Sequence, residues 1–249
     1  MTLHVGVSTK LYLGPVRTRA WVAEVCAIAA RHPATRDGAV EVFVAPTTAV
    51  LESSVEIARR SGVRIAAQDV SAYDSGPYTG ETGAPFLAEL GVEIVEVGHA
   101  ERRRLFAETD DVVARKASAV QRAGIVPLVC VGERERGPAV ASAASCLGQL
   151  ARITMPAMIA YEPVWAIGAA EPAPPSYVRD VVRAMKAGLP ARLRGAPVLY
   201  GGAAGPGLLA AVRPEVDGLF LGRFAHDPEN VRAVLDDAAD VARAETVRR

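Results

Sequence analysis

Residues 157–168 have the sequence AMIAYEPVWAIG, a short apolar run that ends directly at an acidic residue, Glu162. Seven more apolar runs rich in β-branched residues recur along the 249-residue chain. Together with Ala157–Tyr161, the predicted strands are Leu3–Val7, Val40–Ala45, Val63–Ala67, Ile94–Val97, Val126–Val131, Val198–Tyr200 and Gly218–Leu221. Their starts lie on average about 30 residues apart, the length of one βαβ unit. Strands this apolar, with little alternation, indicate a parallel sheet covered on both faces.

The segments between these runs carry the spacing and end signals of helices. Apolar residues of the segment 21–29 recur at helical spacing and form one stripe. Asp110 and Asp111 place two acids at a helix start, where the helix dipole favours them. Pro228 stands at the first turn of the last predicted helix. Eight βα repeats without a Pro-, Gly- or Ser-rich linker predict one closed (β/α)8 barrel domain over residues 1–249, with an open doubly wound sheet as the alternative.

The composition excludes several classes of protein. The chain has 28 basic and 28 acidic residues and hence no net charge, whereas nucleic-acid and anionic-membrane partners select a basic excess. Its three cysteines lie far apart and form no CxxC pair, so neither a disulfide framework nor a zinc site is expected. The start of the chain lacks the long apolar region of a secretory signal, and the uncharged stretch 137–151 is too short to span a bilayer. We therefore expect a cytoplasmic protein without membrane or nucleic-acid partners.

Polar side chains follow three of the predicted strands at the point where each strand ends. Ser8 and Lys10 follow the first strand, His99 and Glu101 the fourth, and Glu162 the sixth. In a (β/α)8 barrel the carboxyl ends of all strands meet at the face that carries the active site. A carboxylate can take a proton from the carbon next to a carbonyl, and an imidazole and an ammonium can stabilise the enediolate that forms. The trio of Lys10, His99 and Glu162 therefore predicts proton transfer at carbon.

Two glycine-containing turns follow the last two predicted strands. Gly201 and Gly202 follow the seventh strand, and Gly222 and Arg223 follow the eighth. The backbone N–H groups of such turns can bind a phosphate at this edge of a barrel. The trio and these turns together predict proton transfer at a carbon of a small phosphorylated substrate. Because this reaction needs only acid–base groups and oriented donors, we expect neither a cofactor nor a metal.

Several motifs resemble those of the triosephosphate isomerase family. Residues 160–168 (AYEPVWAIG) match a family segment letter for letter, and residues 98–103 (GHAERR) are similar to its GHSERR motif. The segments 126–133, 79–81 and 200–202 resemble, in turn, the family's fifth strand, its dimer loop and its seventh loop. The order and spacing of these motifs hold over nearly the whole chain. The resemblance implies the family's fold, a single TIM barrel.

The resemblance also implies roles for individual residues. Glu162 would be the base that moves a proton between two neighbouring carbons, and His99 the neutral electrophile at the carbonyl; this family is the standard example of that pair. Lys10 would be the cation that supports the developing charge, with Glu101 and Cys130 behind the trio. Residues 163–168 would begin a lid that closes over the substrate. The residues expected to contact the substrate and its phosphate are Ser8, Gly168, Gly201, Gly202, Ala203, Gly222 and Arg223.

The departures from the family pattern are concentrated around the phosphate. Ser8 stands in the place of the family's asparagine, and Ala203 replaces a serine of the seventh loop. The second half of the lid, usually Thr-Gly-Lys, is Ala-Ala-Glu here at residues 169–171. Arg223 occupies the place of a glycine in the eighth loop, where it could bind the phosphate through a bidentate guanidinium or fill the pocket. Loss of one hydroxyl donor to a charged group costs about 1.5–3 kcal/mol, so these changes bear on the choice of substrate.

Three hypotheses for the function follow from this pattern. The first is the interconversion of glyceraldehyde 3-phosphate and dihydroxyacetone phosphate through an enediolate, with Glu162 as the base. The second is an isomerase of a four-carbon ketose phosphate, a tetrulose phosphate, which the altered phosphate side and the retained trio favour. The third is a paralogue that only binds a ligand or a partner. It ranks last because an inert protein has no need to keep Lys10, His99 and Glu162 together.

The resemblance further implies a homodimer. In the family the third loop, here residues 73–82, docks against a partner subunit near its active site. Its segment 73–77 departs from the family, whereas 79–81 match it. We therefore expect a homodimer through the loop Tyr73–Thr82, with contacts that differ in detail from those of the family.

Overall fold

Eight parallel strands form a closed barrel in the computed structural model, which describes residues 2–168 and 172–247. Each strand pairs with its neighbours in chain order, and the last strand pairs with the first. The strands are β1 (Leu3–Ser8), β2 (Val40–Ala45), β3 (Val63–Ala67), β4 (Ile94–Val97), β5 (Val126–Val131), β6 (Met158–Tyr161), β7 (Val198–Tyr200) and β8 (Gly218–Leu221). The fold is a single (β/α)8 TIM barrel, which confirms the prediction, and the open doubly wound alternative is wrong.

Helices connect the strands and cover the outside of the barrel. In the described part of the chain they are α1 (Pro15–Arg31), α2 (Pro33–Arg36), α3 (Leu51–Ala58), α4 (Ala84–Leu90), α5 (Ala100–Leu105), α6 (Asp110–Arg122), α7 (Ala139–Leu150), α8 (Pro175–Gly188), α9 (Leu208–Val212) and α10 (Pro228–Val247). Short 3-10 turns lie at Thr48–Val50, Val164–Ala166, Ala191–Leu193 and Arg223–His226. None of the described helices has the length and apolar character needed to cross a membrane.

The sequence signals for α1, α6 and α10 agree with the observed helices, and each agreement has a local physical cause. The apolar stripe of the segment 21–29 is buried on the inner face of α1. The acids at Asp110 and Asp111 form the first turn of α6, and the side chain of Thr109 caps that turn by accepting the Val112 N–H at 3.3 Å. Residue 228 is the first of α10, a position that suits a proline because it lacks a donor.

Two strand ends differ by one residue from the prediction. β6 begins at Met158 rather than Ala157, and β1 continues to Ser8. The Ser8 side chain is therefore on the last strand residue and not on the loop beyond it, and its backbone register is fixed opposite Ala45 of β2. This extra residue of strand holds Ser8 at the carboxyl end of the barrel.

Two layers of apolar side chains stabilise the barrel. On β4, Ile94 belongs to the interior layer, whereas Val95 and Val97 belong to the layer beneath the helices. Side chains alternate along a strand, so Glu96 shares the inward face of Ile94. The residues that fill the interior are Phe43, Ala45, Ala66, Ile94, Leu128, Cys130, Met158, Ala160, Leu199 and Phe220.

Candidate active site

The carboxyl ends of the strands surround a pocket of about 510 Å³. Lys10, His99 and Glu162 all line this pocket, although they follow three different strands. The seventh and eighth loops, which lie around the barrel between Glu162 after β6 and Lys10 after β1, line the rest of the pocket with Gly201–Gly205 and Gly222–Phe224. The barrel therefore brings the predicted trio and the predicted phosphate loops to one cavity.

His99 is held as a neutral imidazole. It is the N-cap of α5, and its Nδ1 accepts the Glu101 N–H at 3.1 Å. Because Nδ1 is an acceptor, the ring proton of the neutral form is on Nε2. Burial and then the charge of Lys10 lower the pKa of His99 to about 4, against the opposing charge of Glu101. At neutral pH the ring can therefore donate Nε2–H without carrying a charge.

Lys10 is held in an uncommon backbone conformation. Its φ is +49°, in the left-handed region that non-glycine residues adopt at a cost, often at functional sites. Gln68, at the end of β3, holds this loop because its Nε2 donates to the carbonyls of Lys10 at 3.2 Å and of Ala45 at 2.9 Å. The Lys10 ammonium donates to Glu101 Oε1 at 2.7 Å and lies 3.4 Å from His99 Nε2. Burial opposes the charge of Lys10, but the hydrogen bond and the charge of Glu101 outweigh it and raise the Lys10 pKa.

Glu162 lies directly after β6 with its side chain buried. Its Oε2 is 3.3 Å from His99 Nε2 but makes no hydrogen bond within the part of the chain that the structure describes. Burial, followed by the negative charge of Glu96, raises the pKa of Glu162 well above its ordinary value, and Lys10 opposes both effects. A raised pKa suits a base that must return the proton it removes. The arrangement can move a proton between two carbons beside a polarised carbonyl.

Gly201 provides space for this base. A Cβ at Gly201 would lie 2.6 Å from Glu162 Cγ, so no other residue fits there without displacing the carboxylate. Its N–H donates to the Tyr161 carbonyl at 2.9 Å and is already used by the barrel. Gly201, which the sequence predicts at the phosphate, lines the pocket and lies against the base.

The first half of the predicted lid is anchored through one carboxylate. Glu133, after β5, accepts the Trp165 indole N–H at 2.8 Å and the hydroxyl groups of Tyr177 at 2.8 Å and Tyr161 at 3.2 Å. These contacts attach the turn after Glu162 to α8. Gly168 lines the pocket with a φ of +75°, which only glycine adopts readily. The predicted second half of the lid, residues 169–171, lies outside the described residues.

The side of the pocket predicted to hold the phosphate carries few polar side chains. Ala203 and Gly222 line this side and carry no polar side chain, as the sequence indicates. Arg223 is exposed at the rim, and its guanidinium carbon lies 5.8 Å from the centroid of the Tyr12 ring. In this position the Arg223 guanidinium lies over an aromatic ring at the edge of the pocket. Tyr12 also lines the pocket, and nothing in the sequence pattern singles it out.

The remaining predicted site residues lie at different depths in the barrel. Ser8 lines the pocket and is almost wholly buried. Glu101 accepts the Lys10 ammonium through its side chain and donates its backbone N–H to the His99 imidazole, as expected of a residue behind the trio. Cys130 lies deeper, in the interior layer, with its Sγ 4.0 Å from Glu96 Oε1.

Glu96, Gln68 and Glu133 were not singled out from the sequence, although each contacts or influences the trio or its lid. Glu96 has a signal in the sequence, since it is a lone acid within the apolar run Ile94–Val97. Gln68 and Glu133 have none, because their partners come from other strands. In the described part of the chain, no group of three or more His, Cys, Asp or Glu side chains is placed to hold a metal ion.

The fold and the pocket define a barrel enzyme with an acid–base site at the carboxyl ends of its strands. Residues 3–238 match the family model described as triosephosphate isomerase. The L-erythrulose-1-phosphate isomerase of Pectobacterium atrosepticum is 43% identical over 247 residues, which cover 95% of each chain. The triosephosphate isomerase of Deinococcus radiodurans is 35% identical over 247 residues, covering 95% of this chain and 99% of the relative. The L-erythrulose-1-phosphate isomerase of Rhizobium etli is 36% identical over 214 residues, covering 80% of each.

The chain belongs to the triosephosphate isomerase family. It is an enzyme, an isomerase of this family, whose members act on small phosphorylated sugars. The resemblance drawn from its motifs is thereby confirmed, and the hypothesis of an inert binding protein is not supported. The relatives divide between triose and tetrulose phosphate isomerases, so the substrate has to be argued from the pocket.

Proposed function

We propose that this enzyme isomerises a four-carbon ketose phosphate of the L-erythrulose 1-phosphate type. The observation that carries the proposal is a complete proton-transfer trio beside Ser8, which lines the pocket where the family has an asparagine. A serine is shorter than an asparagine, and we infer that the difference accommodates a substrate one carbon longer than a triose. The relative from P. atrosepticum, 43% identical over nearly the full length, bears this activity in its name and supports the same conclusion.

The chemistry of such a substrate follows from its structure. In a ketose 1-phosphate of four carbons, the carbonyl is at carbon 2 and carbon 3 carries a proton, a hydroxyl and a hydroxymethyl group. Removal of the proton from carbon 3 forms the double bond between carbons 2 and 3 and places negative charge on the carbon 2 oxygen. The proton of the carbon 3 hydroxyl is transferred to the carbon 2 oxygen, and return of the abstracted proton to carbon 2, with the carbon 3 oxygen becoming the carbonyl, yields a second ketose phosphate. No atom is gained or lost, and the product is not an aldose.

Each member of the trio has one task in this scheme. Glu162 removes the proton from carbon 3 and returns it to carbon 2. The neutral His99 donates its Nε2–H to the substrate oxygen that gains charge, and the compact ammonium of Lys10 adds a positive charge on the same side. Glu101 and Cys130 act from behind, Glu101 by fixing Lys10 and the tautomer of His99.

The phosphate is placed at the seventh and eighth loops. Gly202, Ala203 and Gly222 bring backbone close to this side of the pocket, and Gly168 brings the lid. Arg223 supplies the charged donor that these loops otherwise lack, and its stacking on Tyr12 holds the guanidinium at the rim. A bidentate guanidinium is a strong phosphate ligand and compensates for the missing serine hydroxyl of the seventh loop.

Steady-state kinetics on two substrates test the proposal. We expect kcat/KM for L-erythrulose 1-phosphate to exceed that for glyceraldehyde 3-phosphate by at least about tenfold, since a contact in the pocket for one extra carbon is worth about 1–3 kcal/mol. The second candidate is a triosephosphate isomerase, which the 35% identical relative from D. radiodurans favours. Brisk turnover of the triose beside poor turnover of the tetrulose would establish that candidate instead.

A pair of variants at Ser8 tests whether this residue causes the preference for the tetrulose phosphate over the triose phosphate. Ser8→Asn restores the longer side chain and should lower kcat/KM for the tetrulose more than for the triose. Ser8→Ala is the matched control, because it removes the hydroxyl without filling space. It should leave the ratio of kcat/KM for the tetrulose to kcat/KM for the triose nearly unchanged. An equal fall for both substrates in Ser8→Asn would contradict the role of Ser8 in substrate choice.

We also propose that the enzyme is a homodimer through the loop Tyr73–Thr82. The rings of Tyr73 and Tyr78 stack with centroids 4.0 Å apart, yet they remain 50% and 38% exposed. Phe86, at the start of α4, is also exposed. Exposed apolar side chains grouped in this way are typical of an interface. Sedimentation velocity should give a dimer at micromolar concentration, and a monomer alone would contradict the proposal.

A further inference from the structure

Phe220 is an aromatic residue of the pocket to which the proposed reaction gives no task. It lies on β8, belongs to the interior layer of the barrel and also lines the pocket. Its exposed fraction is 4%, so nearly all of the side chain is packed against other residues. A phenyl ring offers no acid, no base and no hydrogen-bond donor. Phe220 can therefore affect the reaction only through its size and shape.

The strand register fixes the depth at which Phe220 lies. Gly6 of β1 is opposite Phe220 of β8 on one side and opposite Phe43 of β2 on the other. Side chains alternate along a strand, so the next residue of β1 that faces the interior is Ser8, which is nearer to the carboxyl ends of the strands. Phe220 therefore lies one inward-facing position below Ser8, at the bottom of the pocket.

A glycine and a second aromatic ring support Phe220 from within the barrel. A Cβ at Gly6 would lie 2.1 Å from Phe43 Cζ, which shows that the Phe43 ring occupies the space that this glycine leaves. The rings of Phe43 and Phe220 stack with centroids 5.7 Å apart and an angle of 25° between their planes. Aromatic pairs at this separation stabilise each other beyond the area that they bury. The ring at the bottom of the pocket is thus held by the packed interior.

The proposed substrate enters this pocket with a defined direction. Its phosphate is assigned to the seventh and eighth loops, where Arg223 lies exposed at the rim. The groups that act on carbons 2 and 3 lie deeper, since His99 is 5% exposed and Glu162 is 3% exposed. Carbon 4 is at the other end of the chain from the phosphate. A substrate with its phosphate at the mouth and its reacting carbons at the trio therefore directs carbon 4 toward the bottom of the pocket.

We propose that Phe220 is the floor of the pocket and limits the substrate to four carbons. The hydroxymethyl group of carbon 4 ends against the ring, and a fifth carbon would have to occupy the space of the ring itself. Because protein interiors are close-packed, the ring cannot move aside without displacing Phe43. Phe220 determines specificity and takes no part in moving the proton. The inference rests on the proposed function, which places the phosphate at the mouth of the pocket.

Kinetics on substrates of two lengths test this inference. The two are L-erythrulose 1-phosphate and D-xylulose 1-phosphate, a five-carbon ketose 1-phosphate with the same configuration at carbon 3. In the wild-type enzyme, kcat/KM for the five-carbon substrate should be at least about tenfold lower than for the tetrulose. Phe220→Ala removes the ring and should raise the ratio of the five-carbon value to the four-carbon value by at least about tenfold. Phe220→Leu shortens the side chain and should raise the same ratio by less.

The other ring of the stack provides the matched control. Phe43→Leu also removes a ring from the interior layer but leaves the Phe220 side chain at the pocket, so it should change the ratio by less than Phe220→Leu does. Thermal unfolding shows which variants are folded, and if Phe220→Ala is not, the comparison of Phe220→Leu with Phe43→Leu decides. An unchanged ratio in Phe220→Leu would overturn the proposal. An equal rise in Phe43→Leu would overturn it as well, because loosened packing would then explain the effect.

The wild-type kinetics separate this inference from the proposed function. If the wild-type enzyme prefers glyceraldehyde 3-phosphate to L-erythrulose 1-phosphate, the proposed function fails, whatever the Phe220 variants show. If it prefers the tetrulose but turns over D-xylulose 1-phosphate equally well, only the inference on Phe220 fails. The same holds if it prefers the tetrulose and the Phe220 variants keep the wild-type ratio.

Discussion

The two sides of the pocket are built in different ways. On the acid–base side, His99 and Glu162 are buried, and Lys10 is fixed by Glu101 and by the Gln68 contact to its backbone. On the side of the seventh and eighth loops, the pocket is lined mainly by residues without polar side chains, and the charged side chain that lines it there, Arg223, is exposed at the rim. One side is thus held by hydrogen bonds from several strands, whereas the other depends on loops.

The difference between the two sides indicates which residues of the pocket can be exchanged without loss of the acid–base chemistry. Groups that move a proton have to be placed within a fraction of an ångström, so they stand on strand ends supported by the barrel. Groups that recognise a phosphate or an added carbon can be exchanged on loops without disturbing the barrel. The departures at Ala203, Arg223 and residues 169–171 fall on the loop side, and the letter-for-letter match at 160–168 includes the base Glu162.

The largest effect is expected on the acid–base side. Glu162→Gln keeps the shape of the side chain and removes its ability to accept a proton. We expect kcat to fall by at least about a thousand-fold, within the range that a general base supplies. Proton exchange at the substrate carbons, followed by NMR in deuterated water, measures the step directly. Glu162→Asp is the control: it keeps the carboxylate at a greater distance and should retain more activity than Glu162→Gln. Equal activities of the two variants would contradict the role of Glu162.

Much of the difference between the two sides of the pocket could be predicted from the sequence, because the features that produce it are local. Apolar runs fix the strands to within one residue, and strand ends fix the position of the trio. Glu96 is visible as an acid in an apolar run, but its influence on Glu162 depends on which strands are neighbours. The left-handed conformation of Lys10 and the space that Gly201 leaves for Glu162 are properties of the packed barrel. No sequence pattern reports them.

An intermediate effect is expected at Arg223. Arg223→Met keeps most of the length of the side chain and removes the charge. We expect kcat/KM to fall by about 10- to 100-fold, since a hydrogen bond to a charged group contributes about 1.5–3 kcal/mol. The loss should appear in KM rather than in kcat, because the phosphate is bound equally in the ground state and the transition state. Steady-state kinetics with the tetrulose phosphate measure both constants.

The same residue gives the clearest test of the opposite interpretation. If Arg223 fills the pocket and does not bind the phosphate, Arg223→Met should leave kcat/KM unchanged or raise it. Arg223→Lys is the matched control, because it keeps the charge but loses the planar fork that binds two phosphate oxygens. Partial activity in Arg223→Lys, between that of the wild type and Arg223→Met, would support phosphate binding.

The smallest effect is expected at Tyr12, which acts only through the guanidinium stacked on it. An exposed cation–π contact is worth about 0.5–1 kcal/mol, so Tyr12→Leu should raise KM by about two- to fivefold. Tyr12→Phe keeps the ring and should leave KM unchanged. In the Arg223→Met background the contact no longer exists, and Tyr12→Leu should then have no further effect on KM. An undiminished effect in that background would mean that Tyr12 contacts the substrate itself, and the loop side would then contain a second recognition residue independent of Arg223.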